Sequence, residues 1–285
     1  MERIAVITDS NSGISQEMAK EYGIHILPLI FHVGEQEYAE GVSLTEERFF
    51  GALEEGEEVS TSQPSIAELM ELWDGLLEKY DKVLHIPMTR ALSGSYDTAA
   101  GLSQEYEGRV LVVDGRRISA TLENMVLHAA KLVGEGMRAE DIQEHLEKIA
   151  LDASIYITVD SLRYLKKGGR ISGVEAMAGE ILNIRPVIQI KGGLLEVHSK
   201  VRGRKKAKAS MEELLMEDWK RLAGVYGEER LHLAVGHANA LKEATEWREE
   251  LKKHFPGKEI KLVKLPMSIC CHVGPGTIGV AVDAD

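Results

Sequence analysis

Aromatic side chains are scarce in this 285-residue sequence, at 5%, so it has little of the flat surface on which nucleic acid bases stack. Basic charge is in deficit: 34 Lys and Arg face 46 Asp and Glu, a formal net charge of −12. Such a field repels phosphate backbones and anionic membrane surfaces, which excludes nucleic acid as a partner. An anionic ligand therefore has to be captured by local donors. Long hydrophobic runs are missing too. None approaches the roughly 18 apolar residues of a membrane span, so no stable membrane insertion is expected. The opening run Ile4-Ala5-Val6-Ile7 is too short for a signal peptide and reads as a first strand. Cysteine is limited to Cys270 and Cys271, whose adjacency suits neither a structural disulfide nor, with His272, a tetrahedral metal site. Two buried thiols in a reducing cytoplasm, and no metal, are the expectation.

What is present is ordinary globular material, 44% hydrophobic and 28% charged, enough for a core in each of two domains. Residues 3–7, 82–88 and 109–114 read as buried strands, and 15–22, 45–53, 65–79, 118–132 and 139–151 as helices. Residues 24–33 and 37–40 read as a hairpin about Gly34-Glu35-Gln36, and Ser65 with Glu68 as a capping box. This alternation predicts a parallel, Rossmann-like sheet covered on both faces. Beyond residues 154–159 the pattern changes. Residues 186–190 and 194–200 flank Lys191-Gly192-Gly193, a hairpin signal. Helices at 206–222 and 241–255 and strands at 231–236, 259–265 and 277–282 complete a mixed-sheet α/β domain. The fold class is thus α/β in two domains, residues 1–155 and 156–285.

Four polar segments fall where strands give way to helices: Thr8-Asp9-Ser10, Thr61-Ser62-Gln63-Pro64-Ser65, Ser93-Gly94-Ser95-Tyr96 and Asp114-Gly115. In an open parallel sheet, ligands collect beyond the carboxyl ends of the strands, where helix N-termini leave N–H groups free. Ser and Thr there serve equally well as plain N-caps. Gly274 to Gly279 spells G-x-G-x-x-G, but a strand follows it where a dinucleotide site needs a helix. With no Walker sequence either, no nucleotide cofactor is expected. Ser93, His272 and Asp9 can be assembled into a hydrolase triad, yet Ala91 stands where a nucleophile elbow needs glycine. Lys166-Lys167-Gly168-Gly169-Arg170 and Arg202-Gly203-Arg204-Lys205-Lys206 are basic clusters, to be read either as solvated faces or as a docking patch or anion clamp.

Taken in order, Thr8-Asp9-Ser10, Pro28-Leu29, Thr61-Ser62-Gln63-Pro64-Ser65, Ser93-Gly94-Ser95-Tyr96, Gly168-Gly169-Arg170-Ile171-Ser172, Arg202 and His272-Val273-Gly274-Pro275-Gly276 resemble the DegV-type proteins. These are bacterial fatty-acid-binding proteins, some of which serve as the acyl-carrier subunit of a fatty acid kinase. One departure is Glu40-Gly41, where the family often has Asp-Gly, and it is expected to touch only a hairpin. The resemblance implies a non-enzymatic protein that holds a long-chain fatty acid such as palmitate between its two domains. It implies Thr61 and Ser93 on the carboxylate, with His272 nearby, and a separate ATP-dependent kinase that phosphorylates the bound acid. The acyl phosphate would then pass toward phospholipid synthesis. Arg170 and Arg202 are expected to meet that partner or the phosphate.

Elementary energetics are compatible with this picture. Burying about 14 methylenes at roughly 0.8 kcal/mol each gives on the order of 11 kcal/mol, against which stands the cost of an unpaired buried carboxylate. Two other readings remain on the residues alone: a serine hydrolase or acyl transferase using Ser93, and a sensor whose domains close on a small ligand.

Overall fold

The first apolar run becomes β1 (Ile4–Asp9), with all six residues buried. A strand buried on both faces belongs inside a sheet. In the computed structural model, which describes residues 2–170 and 184–285, β1 is an inner strand. The chain passes through a 3-10 turn (Ser10–Ser12) to α1 (Gln16–Tyr22), capped by the Ser15 side chain and closed by Gly23 in the left-handed conformation. Then come β2 (Ile24–Leu27), β3 (Ile30–Val33), β4 (Gln36–Ala39), α2 (Glu46–Glu55) and β5 (Val59–Ser62). After these follow α3 (Ile66–Leu77), β6 (Lys82–Ile86), α4 (Ser95–Ser103), β7 (Val110–Val112), α5 (Ser119–Gly134) and α6 (Ala139–Lys148).

Strands β2-β1-β6-β7 form a four-stranded parallel sheet. One face carries Ala5, Ile7, Val83, Val110 and Val112, packed on the Leu69-Trp73-Leu76 stripe of α3 and on Ala99 of α4. Ile4, Val6, Leu84 and Ile86 on the other face are buried as well, and α5 and α6 pack against β1, β6 and β7. The α3 capping box is formed as expected. Residues 24–33 depart from the expected single arm of a hairpin. They split at Pro28-Leu29 into β2, which joins the parallel sheet, and β3, which starts a separate antiparallel sheet β4-β3-β5. Proline has no N–H to give to a ladder, and the break falls there.

Contacts divide the chain into two units, Met1–Ala150 and Leu151–Asp285. The division falls a little before residue 155 because β8 (Ala153–Thr158) pairs wholly within the second unit. There α7 (Arg163–Lys167), β9 (Ile184–Lys191), β10 (Leu194–Arg202), α8 (Arg204–Tyr226), β11 (Leu231–His237), α9 (Leu241–Leu251), β12 (Ile260–Lys264), α10 (Met267–Val273) and β13 (Ile278–Ala284) follow. The six-stranded sheet runs β10-β9-β8-β13-β11-β12, with β11 and β12 parallel and the other pairs antiparallel, so it is mixed as expected. Gly192 and Gly193 both take positive φ in the β9–β10 turn, the geometry that a tight hairpin demands. Met211, Leu215, Trp219 and Leu222 of α8 and Trp247 of α9 bury one sheet face, with Val187, Val280 and Val282 beneath them. Ile157, Val159 and Ile188 pack with Leu165 of α7 and Val273 of α10 in a second cluster. Among the described residues no helix is long and apolar enough to cross a membrane.

Candidate functional site

In the first unit the polar groups gather beyond the carboxyl ends of the parallel strands. Asp9, the last residue of β1, is only 2% exposed. Its two carboxyl oxygens accept the Asn11 N–H (3.1 Å) and the Met88 N–H (2.8 Å), which ties the loop after β6 to the loop after β1. Ser10 donates to Glu40 Oε2 (2.6 Å) and accepts the Leu29 N–H (2.9 Å), binding in the loop after β2. Glu40 is itself 5% exposed. Its side chain thus belongs to the polar cluster, which corrects the expectation that this position touches only a hairpin. Burial, and then the neighbouring Glu40 charge, outweigh the two N–H bonds and push the Asp9 carboxyl up to about 7.

Ser93 stands where the sequence places it, one residue ahead of the Gly94 that opens α4. Its oxygen accepts the Ser95 N–H (3.2 Å) and lies 2.8 Å from the Ser95 hydroxyl oxygen. Thr61 is displaced from expectation. It lies within β5, half-buried and opposite Phe31, because residues 59–62 complete the antiparallel sheet instead of forming a loop. The segment containing it is therefore not a junction of the parallel sheet. A different residue links it to Ser93: Gln63, just past β5, is hydrogen-bonded through its amide to the Thr98 hydroxyl on α4 (3.1 Å). A side-chain carbon at position 94 would stand 3.1 Å from Gln63 Oε1, so the glycine makes room for that link. Asp114 and Gly115 serve packing: the Asp114 N–H donates to Glu147 (3.2 Å), and a Cβ at 115 would lie 2.6 Å from the Met125 sulfur on α5.

Of the residues offered for a hydrolase triad, Asp9 accepts from two backbone N–H groups, and Ser93 bonds through its side chain to Ser95.

In the second unit, His272 lies on α10, a helix absent from the expected element order. Its ring rests on the Gly168 backbone so closely that a Cβ there would overlap Nδ1 and stand 2.8 Å from Cε1. Arg170 donates to the Gly168 carbonyl (2.6 Å). Burial, and then the Arg170 charge, hold the imidazole down at about 4, so it is neutral at physiological pH. The structure thus joins His272, Gly168 and Arg170. Ile171 and Ser172 of the same motif lie outside the described residues. Arg202 is exposed at the end of β10. Its neighbours in space and sequence are the engaged arginines: Arg185 and Arg204 each reach Asp160 Oδ1 at 2.6 Å, and Arg204 also donates to Glu243 (2.8 Å) and to the Gly276 carbonyl (2.6 Å). Gly274 to Gly279 turns directly into β13, so it is not a dinucleotide loop. Cys270 and Cys271 are buried and not joined in a disulfide, and the Cys270 thiol donates to the Leu265 carbonyl (3.3 Å).

Sequence reasoning missed Gln63, Thr98 and above all His85. His85 lies in β6 at 2% exposure and lines a small cavity with Asp9, Gln63, Ser95 and Thr98. The available signal was its place in the run Val83-Leu84-His85-Ile86, since a titratable residue inside a buried strand is itself unusual.

The family model for an uncharacterised protein of the DegV family matches residues 3–285. A DegV domain-containing protein of Deinococcus radiodurans is 32% identical over 281 residues, 98% of each chain. Among solved structures, a DegV family protein of Thermus thermophilus, described by its fatty acid binding, superposes with a TM-score of 0.88 at 31% identity, covering 99% of this chain and 100% of that one. DegV of Bacillus subtilis, described as a fatty acid binding protein, gives the same TM-score and identity with both chains fully covered.

Proposed function

This chain belongs to the DegV family, and from that premise we propose that it binds one long-chain fatty acid and holds its carboxylate with uncharged donors from Ser93 and Thr61. The observation that carries this reading is the hydrogen-bonded link from Gln63 to Thr98, which fastens the β5 end to the helix that Ser93 introduces. That arrangement brings two hydroxyl-bearing segments to one helix opening, where unpaired N–H groups favour an anion. Capture by neutral donors also suits a protein of net charge −12, in which the buried carboxyl of Asp9 is half-protonated near neutrality. His272, neutral for the same reason of burial, supplies a further donor in this reading.

The protein acts as a carrier and not as an enzyme. It presents the bound acid to a separate ATP-dependent kinase in the bacterial cytoplasm, and the acyl phosphate passes on toward phospholipid synthesis. Arg170 and Arg202 meet the partner or the phosphate. Relatives whose own descriptions name fatty acids support the ligand class. Native mass spectrometry of the purified chain tests it: a retained mass equal to a C16–C18 acid is expected. Thr61→Ala and Ser93→Ala should each weaken palmitate binding by about 1–3 kcal/mol, the cost of one lost partner to a charged group. Undiminished lipid retention by the double variant would refute the headgroup assignment.

A further inference from the structure

The cavity behind Ser93 contains one group whose chemistry is unsatisfied. His85 is 2% exposed, and neither of its ring nitrogens has a hydrogen-bond partner among the described residues. Trp73 meets the ring edge-on at 5.7 Å, an apolar contact that leaves both nitrogens unanswered. Burial holds this imidazole neutral, down at about 3, so it carries one N–H and one lone pair. A buried N–H donor left bare would be costly. The cavity that His85 lines is walled mainly by Leu27, Pro64 and Leu69, with polar atoms from Asp9, Gln63, Ser95 and Thr98 on its remaining sides, and its free space is about that of a single water. Gln63 and Thr98 already satisfy each other. Ser95 and Asp9 remain to share a bridging molecule with His85.

Ser95 is also the side chain that shares a hydrogen bond with the Ser93 hydroxyl. Two proton arrangements fit their 2.8 Å separation. If Ser93 donates inward to Ser95, its proton is spent. If Ser95 donates to Ser93, the Ser93 oxygen accepts twice, from the Ser95 N–H and O–H, and its own proton turns outward. The second arrangement leaves the Ser95 oxygen needing a donor on its cavity side. We propose that the cavity holds a fixed water, shared by His85 and Ser95, and that the chain His85–water–Ser95 orients the Ser93 hydroxyl as a donor to the ligand carboxylate. The water accepts from the His85 N–H and donates to Ser95 and to Asp9, three bonds that are typical of an internal water. His85 and Ser95 are positioning residues in this scheme, which rests on the reading of Ser93 as a carboxylate donor.

Palmitate and hexadecanol binding to the full chain separate orientation from mere packing, since only palmitate carries an anionic head. Ser95→Ala should weaken palmitate binding about tenfold and leave hexadecanol within about twofold, and Ser95→Thr, which keeps the hydroxyl, should restore palmitate. His85→Phe should weaken palmitate about fivefold, with His85→Gln recovering most of it. On the unmutated chain labelled with 15N, a nuclear Overhauser contact between a long-lived water and the His85 N–H is expected. Equal losses for both ligands would make Ser95 a packing residue and overturn the inference. So would Ser95→Ala with full palmitate affinity while Ser93→Ala loses it, an outcome that spares the carboxylate site itself. Ser93→Ala without effect would remove both.

Discussion

Each unit sets a polar cluster at the ends of its strands, and the two clusters are built on opposite electrostatic plans. In the second unit charge answers charge: Asp160 receives Arg185 and Arg204, and Arg204 also reaches Glu243 and the Gly276 carbonyl. In the first unit Asp9 and His85 are buried, and among the described residues neither is held by an ion pair. That cluster relies instead on backbone N–H groups, hydroxyls and protons held against the usual pKa. A compensated cluster fixes a loop and leaves its ions little freedom to serve a ligand. An uncompensated one keeps donors and protons adjustable, which is what a protein of net charge −12 needs in order to accept another anion.

The largest break of this comparison should come from the glycines of the second unit. Gly276 has φ +80°, and a Cβ there would overlap Asp160, whose carboxylate both arginines pin. Gly276→Ala should therefore cost about 3 kcal/mol or more, because strain and overlap add. Urea unfolding followed through the second unit's tryptophans checks it. Gly94→Ala in the first unit faces only the flexible end of Gln63 at 3.1 Å and should cost less than about 1 kcal/mol.

The next effect belongs to protons in the first unit. Asp9 is raised from its unfolded value to about 7, so between roughly pH 4 and 7 only the folded state keeps that proton, and stability falls as pH rises. His85 is lowered to about 3, so between roughly pH 3 and 6.5 only the unfolded state binds that proton, and stability rises with pH. Over about pH 4–6.5 the two slopes, each about 1.4 kcal/mol per pH unit, cancel. The Asp9 and His85 contributions should thus offset each other in that window. Relative to the unmutated chain, Asp9→Asn should gain about 3 kcal/mol from pH 4 to 6.5, and His85→Gln should lose a similar amount. Urea midpoints across that range measure both. Parallel curves for all three proteins would show that the cluster holds its protons at ordinary affinity.

How much of this was legible beforehand divides along the same line. The parallel sheet, the capping box at Ser65 and the Gly192-Gly193 turn follow from local periodicity and turn chemistry, and the structure keeps them. Thr61 was misplaced in a loop because Val59-Ser60-Thr61-Ser62 carries no strand signal of its own. Its pairing with β3 comes from tertiary context. Helix α10 was missed since Met267 to Val273 is short and buried on nearly every side, which leaves no amphipathic period to detect. The contact of His272 with Gly168 joins residues about a hundred positions apart and has no local trace.

The smallest expected effects sharpen the comparison most, because they separate the two arginines assigned together. Arg202 is exposed at a strand end, so Arg202→Ala should change stability by no more than about 0.5 kcal/mol and leave palmitate binding untouched. Arg170 has a second task. Its guanidinium donates to the Gly168 carbonyl at 2.6 Å, and Gly168 is the floor on which the His272 ring lies. Arg170→Ala should cost about 1 kcal/mol for that bond. It should also raise the His272 pKa above its value of about 4, since burial remains but the opposing positive charge is gone. The sign follows directly: a base held below its unfolded value penalises folding as pH falls through about 6.5 to 4, so relieving part of the shift shrinks the acid-side loss. Titration of the His272 ring by NMR in the Arg170→Ala and Arg202→Ala variants reads this without any partner protein. An upward shift in the first and none in the second is expected. Equal shifts would mean that His272 feels a diffuse basic field, and no shift in either would leave burial alone as the cause of its neutrality.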